Sequence, residues 1–185
     1  SVFLILYRKI PSSIDSGFRY LLWHVFGGLI LFSGIIIHYS ISGDLSIQLL
    51  SFHGWWPNDI QSLGYFLILI GIIVNAAVPP FGAWLPDAYP AATVTGAVFM
   101  SAFTTKTAVY ALIRICAESE ILIILGVVMA IYGVVYAVLE NDTRRLLAYH
   151  IISQVGYMVA GVGLGTHMAI NGVVAHAFCH ILYKS

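Results

Sequence analysis

The sequence contains very few charged residues for its length. Only 9% of its 185 residues are Asp, Glu, Lys or Arg, whereas 60% are hydrophobic. Soluble domains carry about 25% charged residues, so this composition excludes an ordinary soluble domain or a disordered chain and predicts a polytopic membrane protein. The formal net charge is zero. Nothing in the charge balance therefore suggests a nucleic-acid partner.

Cysteines and catalytic motifs are also scarce. The two cysteines, Cys116 and Cys179, are too few for a disulfide framework and lack a zinc-binding spacing, so we interpret both as buried, unreactive thiols. The sequence has no nucleophile elbow, phosphate-binding loop, dinucleotide fingerprint or haem-ligand pattern. We therefore predict neither a cofactor nor a metal site, and no catalytic centre belonging to this chain alone.

Long apolar segments predict an all-α bundle of transmembrane helices in the lipid bilayer. A spanning helix needs about 20 apolar residues. After a remnant at residues 1–7, the predicted spans are residues 18–38, 62–78, 91–113, 121–139, 145–164 and 168–185. Residues 41–60, with Trp55 and Trp56, predict an interfacial loop that could include a short amphipathic helix. The chain begins without Met and ends inside an apolar run, so we expect residues 1–185 to be a fragment of one transmembrane domain, truncated at both ends.

The basic residues are unevenly distributed between alternate loops. The loops on one side of the membrane contain five basic residues, and the loops on the other side contain only Arg114. The five are Arg8, Lys9, Arg19, Arg144 and Arg145. Because cytoplasmic loops are enriched in Lys and Arg, we expect the loops of Arg8 and Arg144 to be cytoplasmic, together with the chain near Asp87.

Lys106 lies in the middle of the apolar run 91–113, with no acidic residue within a helical turn. A charge at this depth costs roughly 3 kcal/mol on insertion scales. Such residues face a bundle interior or a hydrated cavity and mark ion or proton paths. A lysine can also release its proton in a poorly solvated site, which makes Lys106 a candidate proton carrier.

Counting the remnant as the first, the third predicted span, residues 62–78, is interrupted by Pro79 and Pro80 beside the polar residue Asn75. It then continues in broken form to Pro86. Neither proline has an N–H, so backbone carbonyls four residues earlier lose their partners. Freed carbonyls at membrane depth are tolerated only against protein or water. The three residues therefore predict a broken helix with water access, and a simple proline kink is the alternative. We expect Asp87 to anchor the broken helix to a neighbouring helix.

His176, His180 and Lys184 are spaced four residues apart, so they lie along one helical face with a drift of about 80° over the two intervals. Imidazole can accept a proton on one nitrogen and release it from the other near neutral pH, so this track suits a proton relay. The alternatives are a set of hydrogen bonds that holds helices together and, less favoured, a metal site on the two histidines.

Two further histidines are weaker candidates. His24 lies near Gly27 and Gly28, where helices can approach closely, so we favour an interhelical hydrogen bond over a place in the proton path. His150 opens the sixth predicted span, where a place in the relay and a position facing the lipid headgroups are equally supported.

Several motifs resemble the proton-antiporter membrane family. This family includes antiporter-like subunits of complex I and subunits of Mrp-type cation/proton antiporters and of membrane-bound hydrogenases. The matching segments are Trp84-Leu-Pro-Asp-Ala88 with Lys106 downstream, Asp142-Thr-Arg-Arg-Leu-Leu-Ala-Tyr149, Ser153-Gln-Val-Gly-Tyr157, and His176-Ala-Phe-Cys-His180-Ile-Leu-Tyr-Lys184. Arg19-Tyr20 is similar to the start of the family's sixth helix. The resemblance extends over essentially the whole chain.

The resemblance implies a role for each matching position. Lys106 corresponds to a central proton-carrying lysine, the track from His176 to Lys184 to the polar link between two half-channels, and Pro79-Pro80 to the discontinuous helix. Asn75 is a departure, because many members have a lysine there and an asparagine cannot titrate.

The expected function is proton translocation through a mid-membrane Lys/His polar axis, with protons as the transported ion and sodium as an alternative coupled ion. The chain would be part of a redox-driven NADH:quinone oxidoreductase-like complex, a hydrogenase or an Mrp-type antiporter in the bacterial inner membrane. Its partners would be other membrane subunits, which would carry any redox centres. The alternative is a scaffold protein of such a complex without its own proton channel, which Asn75 favours.

Overall fold

The computed structural model describes residues 2–44, 46, 49 and 56–184, and the regular structure of these residues is entirely α-helical. The helices are α1 (Val2–Leu6), α2 (Pro11–Ser42), α3 (Ile60–Asn75), α4 (Trp84–Ala91), α5 (Val94–Ile115), α6 (Glu120–Leu139), α7 (Thr143–Leu164) and α8 (His167–Lys184). The predicted all-α bundle is therefore confirmed. Ser185, the last residue of the last predicted span, lies outside the described residues.

Four helices of the described chain, α2, α5, α6 and α7, are long and apolar enough to cross a membrane, and α3 is a shorter apolar helix. Their outward faces carry exposed apolar side chains, such as Phe32 and Ile131. Such faces suit lipid tails or another membrane helix. The chain is an integral, multi-pass membrane protein.

Helix α2 is longer than the predicted span of residues 18–38. It begins at Pro11, where a missing N–H costs nothing because the first helical residues have no intrahelical acceptor. It ends at Ser42 and is capped by Gly43, which has a left-handed backbone (φ 67°) and whose N–H bonds to the carbonyl of Tyr39. The hydroxyl of Ser13 donates to the carbonyl of Ala91 at 3.0 Å. The polar first turn of α2 thus makes a tertiary contact, which a hydropathy pattern does not reveal.

The predicted interfacial loop at residues 41–60 therefore begins with the last turn of α2. Most of this segment, including Trp55 and the suggested amphipathic helix, lies outside the described residues. Trp56 is described and is exposed.

The predicted break at Pro79-Pro80 is confirmed. Helix α3 ends at Asn75, and the chain resumes as α4 at Trp84. Between them Ala77 has a left-handed backbone (φ 60°), which is uncommon for a residue with a side chain. The indole N–H of Trp84 donates to the carbonyl of Val74 at 3.1 Å. One carbonyl at the break therefore has a side-chain partner.

The second half of the broken helix extends further than predicted. Helix α4 continues to Ala91 rather than ending at Pro86. Pro86 lies in the first turn of α4, where a proline needs no hydrogen-bond acceptor and does not end the helix.

Helices α6 and α7 pack at backbone distance. Cβ atoms placed on Gly126 or Gly133 would collide with Ala160 or Ser153 of the facing helix, and one on Gly156 would lie 2.6 Å from the backbone nitrogen of Ala130. Small residues allow such close approach in membrane bundles. Helix α7 is consequently held firmly against α6.

Basic residues gather around α4 at one end of the bundle. The guanidinium groups of Arg8 and Arg144 donate to the carbonyl of Pro90 at 2.9 and 3.3 Å. Arg19 forms an ion pair with Asp87 at 3.4 Å. The loops of Arg8 and Arg144 thus share one end of the bundle with Asp87, and Asp87 anchors the broken helix to α2, as the sequence predicted.

Candidate functional site

Lys106 is buried inside the bundle. Thr93 caps the start of helix α5, and its hydroxyl oxygen accepts the N–H of Gly96 at 3.1 Å. Thirteen residues later Lys106 is only 7% exposed, and its ammonium donates to the hydroxyl of Thr105 at 3.3 Å. Among the described residues, no carboxylate lies within ion-pair distance of Lys106. The ammonium therefore lacks a counter-ion in this part of the chain.

Helix α8 returns along α7 after a tight turn. Gly165 ends α7 with a left-handed backbone (φ 64°), and its N–H bonds to the carbonyl of Val162 at 3.1 Å. His180 is fully buried, whereas His176 and Lys184 are partly buried. The neighbouring Cys179 is exposed, so the prediction that both cysteines are buried is correct for Cys116 and wrong for Cys179. This alternation agrees with the predicted polar face of α8, from which Cys179 points away.

Polar side chains of α7 contact this face. The Nε2 atom of His176 lies 2.9 Å from Oε1 of Gln154. The hydroxyl of Tyr183 donates to the same oxygen at 3.4 Å. The ammonium of Lys184 lies 3.1 Å from Nδ1 of His150, which accepts its proton in the hydrogen bond. Three side-chain contacts therefore join α7 to α8, and two of them involve the track residues His176 and Lys184.

His180 lies between these contacts. Its ring centroid is 6.3 Å from that of His176 and 5.2 Å from that of Tyr183, against which it packs edge-on. Neither ring nitrogen of His180 has a hydrogen-bond partner among the described residues, and the same holds for the hydroxyls of Ser101 and Ser153. Buried polar groups without a protein partner are normally completed by ordered water.

Lys106 belongs to the same group of side chains. It interacts electrostatically with His176, His180 and Lys184, and His180 does so with His150 as well. The structure thus brings together five of the residues that the sequence singled out. We refer to Lys106, His150, His176, His180 and Lys184 as the polar axis.

Asn75 and His24 lie elsewhere, on a cavity of about 430 Å³ beside the broken helix. The cavity is also lined by Thr104 and Thr107 of α5. Thr104 precedes Lys106 by two residues, which places the two side chains on opposite faces of a helix. Helix α5 therefore separates this cavity from the polar axis. Asn75 bonds to the carbonyl of Gly71 at 3.3 Å and does not lie in a closely packed interface.

Within the described part of the chain, His24 does not make the interhelical hydrogen bond that the sequence suggested. Its Nδ1 atom lies 2.9 Å from the carbonyl oxygen of Tyr20, one turn earlier in the same helix. The ring stacks on Tyr20 and packs edge-on against Trp84. The contacts of His24 with α4 are therefore aromatic.

Gln154 also contacts the track, and its sequence position alone did not predict that role. The sequence feature that could have indicated this contact is its position four residues after His150, on the same face of α7. No three His, Cys, Asp or Glu side chains converge as metal ligands would, across the part of the chain that the structure describes.

The family described as NADH:quinone oxidoreductase/Mrp antiporter, TM, matches residues 1–185. The chain is 29% identical over 200 residues to a subunit of the Na⁺/H⁺ antiporter of Alkalihalophilus pseudofirmus, covering 100% of this chain and 40% of the relative. It is 30% identical over 185 residues to a subunit of the NADH-quinone oxidoreductase of Desulforudis audaxviator, covering 93% of this chain and 37% of the relative.

A solved structure of an Mrp complex from Dietzia sp. contains a chain with the same fold. The TM-score is 0.85 at 26% identity, and the match covers 94% of this chain and 34% of that chain. The present chain thus spans about two fifths or less of the proteins that it matches.

Proposed function

Since this chain belongs to the NADH:quinone oxidoreductase/Mrp antiporter transmembrane family, we propose that it translocates protons along the polar axis. The axis runs from Lys106 on α5 to His176, His180 and Lys184 on α8, and His150 on α7 contacts its end. Lys106 holds or passes the proton, and the imidazoles and Lys184 carry it laterally within the membrane.

The burial of Lys106 without a carboxylate partner is the observation that carries this proposal. A buried ammonium is expensive at membrane depth, and here its charge interacts with His180, whose ring nitrogens have no hydrogen-bond partner among the described residues. Imidazole accepts a proton on one nitrogen and releases it from the other near neutral pH. Lys106 and His180, with water between them, would form a path for a proton.

The cavity beside Asn75 and the break at Pro79-Pro80 would admit water to the interior. Thr104 lines that cavity, and the next residue, Thr105, accepts the hydrogen bond from Lys106. We propose that a proton crosses α5 near these two hydroxyls. Asn75 cannot titrate, so its role there is to orient water.

The chain acts within a larger assembly in this proposal. Its relatives are named as subunits of an antiporter and of an NADH-quinone oxidoreductase, so other membrane subunits would be its partners and would carry any electron transfer. Residues 1–185 would be part of one longer transmembrane domain in a bacterial inner membrane. The loops of Arg8 and Arg144 would be cytoplasmic by their positive charge.

Substitution of Lys106 in the full-length protein, within its native complex, tests the proposal. Lys106→Ala should abolish proton uptake into sealed vesicles, because alanine carries no proton. Lys106→Arg should also transport poorly, because a guanidinium group does not release its proton. Lys9→Ala is the matched control, since Lys9 is an exposed lysine outside the helices, and it should transport normally.

Assembly of the complex is measured in parallel with transport. Both Lys106 variants should assemble. Lys106 forms no ion pair with the described residues, so neither substitution breaks one. Normal proton uptake by Lys106→Ala would overturn the proposal.

A scaffold role is the second candidate, and the observation that favours it is Asn75, a residue that cannot titrate, at the end of α3. In that case the polar residues only hold α5, α7 and α8 together. Lys106→Ala would then impair assembly of the complex, and any complex that formed would transport protons at the normal rate.

A further inference from the structure

The contact between Gln154 and His176 restricts what His176 can do with a proton. We propose that Gln154 is a positioning residue that holds the neutral His176 ring in the tautomer protonated on Nε2. His176 then takes up and releases protons through Nδ1 alone. The part of this inference that concerns transport rests on the proposed function, whereas the tautomer does not.

The geometry around the amide oxygen supports this assignment. Oε1 of Gln154 lies 2.9 Å from Nε2 of His176 and also accepts the hydroxyl of Tyr183 at 3.4 Å. An amide oxygen has two lone pairs and no proton, so it can accept both hydrogen bonds but donate neither. With the amide oxygen of Gln154 facing the ring, the imidazole is the donor and its proton is on Nε2.

The backbone of Gln154 is fixed from the opposite side of α7. The neighbouring residue Ser153 packs at backbone distance against Gly133, and Gly156 against Ala130. Helix α8, in contrast, buries only Val173 and His180 among its described residues. The orientation of the His176 ring therefore depends on its polar contact with α7.

This contact changes the place of His176 in the axis. A proton that arrives at Nδ1 gives an imidazolium whose Nε2–H still points at an amide oxygen. That oxygen is far too weak a base to carry the proton onward, so the proton must leave again through Nδ1. His176 is accordingly a side store that exchanges protons with the axis, and the onward path runs through His180 and Lys184.

The tautomer is measured by NMR of the ring nitrogens in the full-length protein, within its complex, labelled with ring-¹⁵N histidine. The signals of His176 are assigned by their loss in His176→Asn. The wild-type protein should show His176 protonated on Nε2 only, at a pH where the ring is neutral. Gln154→Leu removes the acceptor, so the Nδ1-protonated form should become detectable.

Gln154→Glu keeps an acceptor oxygen in place and should retain the Nε2–H tautomer, which also serves as the second variant if the leucine protein fails to assemble. Gln61→Leu is the matched control, because Gln61 is another glutamine that bonds a tyrosine hydroxyl, at 2.8 Å, but is exposed and remote from the axis. It should leave the His176 signals unchanged.

Proton uptake by the same variants tests the effect on transport. Gln154→Leu should slow uptake about two- to tenfold, because the side store no longer presents Nδ1 to the axis in a fixed orientation. This range corresponds to the free energy of one neutral hydrogen bond. Gln61→Leu should not slow uptake. Protonation of wild-type His176 on Nδ1, or unchanged tautomers in Gln154→Leu, would overturn the positioning role. If Lys106→Ala transports normally, the proposed function fails while the tautomer result still decides the role of Gln154.

Discussion

Replacing Trp84 with phenylalanine removes one hydrogen bond from the break between α3 and α4. The indole N–H of Trp84 donates to the carbonyl of Val74 at 3.1 Å, and Trp84 is only 2% exposed. Phenylalanine keeps an aromatic ring but has no donor. The Val74 carbonyl would therefore lose its side-chain partner in a buried site.

The expected loss of stability follows from two contributions. The Val74 carbonyl keeps the backbone N–H of Ala77 at 3.3 Å, so the variant loses one neutral hydrogen bond, which contributes about 0.5–1.5 kcal/mol. The ring of Trp84 also packs edge-on against Tyr20 at 5.2 Å and His24 at 4.6 Å, and such pairs contribute about 0.5–1.5 kcal/mol each. A phenyl ring retains part of that contact. We therefore expect a decrease of about 1–2 kcal/mol in the free energy of unfolding.

The measurement is reversible unfolding of the full-length protein in mixed detergent micelles. Trp23→Phe is the matched control, because Trp23 is half-buried, packs against Phe81 at 6.0 Å and makes no hydrogen bond with the described residues. Its loss should be below about 1 kcal/mol. Amide hydrogen exchange should rise between residues 74 and 83 in Trp84→Phe and remain unchanged in Trp23→Phe.

Equal losses of stability in the two variants would refute this reasoning. That result would mean that the Val74 carbonyl gains nothing from the indole, and that the break is held by the rest of its packing. Faster exchange spread over all helices, rather than at the break, would also count against a local role for Trp84.

Two further substitutions test the assignment of the polar residues. His180→Ala should slow proton uptake into vesicles more than His24→Ala, because His180 lies between His176 and Lys184 whereas His24 lies across α5 from them; an equal or larger effect of His24→Ala would contradict this. Asn75→Lys should still insert and assemble, as judged by the amount of intact complex in the membrane, since the cavity of about 430 Å³ can hydrate the new ammonium, and transport should persist or change its pH dependence. Degradation of the Asn75→Lys protein would instead support the scaffold role.

Hydropathy and proline positions predicted most of the fold. The apolar runs located α5, α6 and α7 within a few residues, because nearly every position in a membrane helix must be apolar. The same signal missed the first turn of α2, where Ser13 is polar but is used for a contact with Ala91. It also placed the end of the broken helix too early, at Pro86, because hydropathy does not show that a proline in the first turn leaves a helix intact.

The polar axis could be predicted only within single helices. The four-residue spacing placed His176, His180 and Lys184 on one face of α8, and burial of His180 agrees with that face. The contacts of Gln154 and His150 depend on how α8 is aligned along α7. That alignment is set by the turn at Gly165 and by packing between distant residues, so spacing along one helix does not contain it.

The close packing of α6 on α7 also restricts how the gene can vary. Helix α6 carries no charge after Glu120 and has no residue in the polar axis. Even so, a methyl group on Gly133 would push against the backbone of Ser153, and the displacement would carry its neighbour Gln154 along. Selection on proton chemistry should therefore act on glycine codons in a helix that has no proton chemistry. In an alignment of natural variants, the glycines of α6 that pack on α7 should vary as little as Lys106 and Lys184.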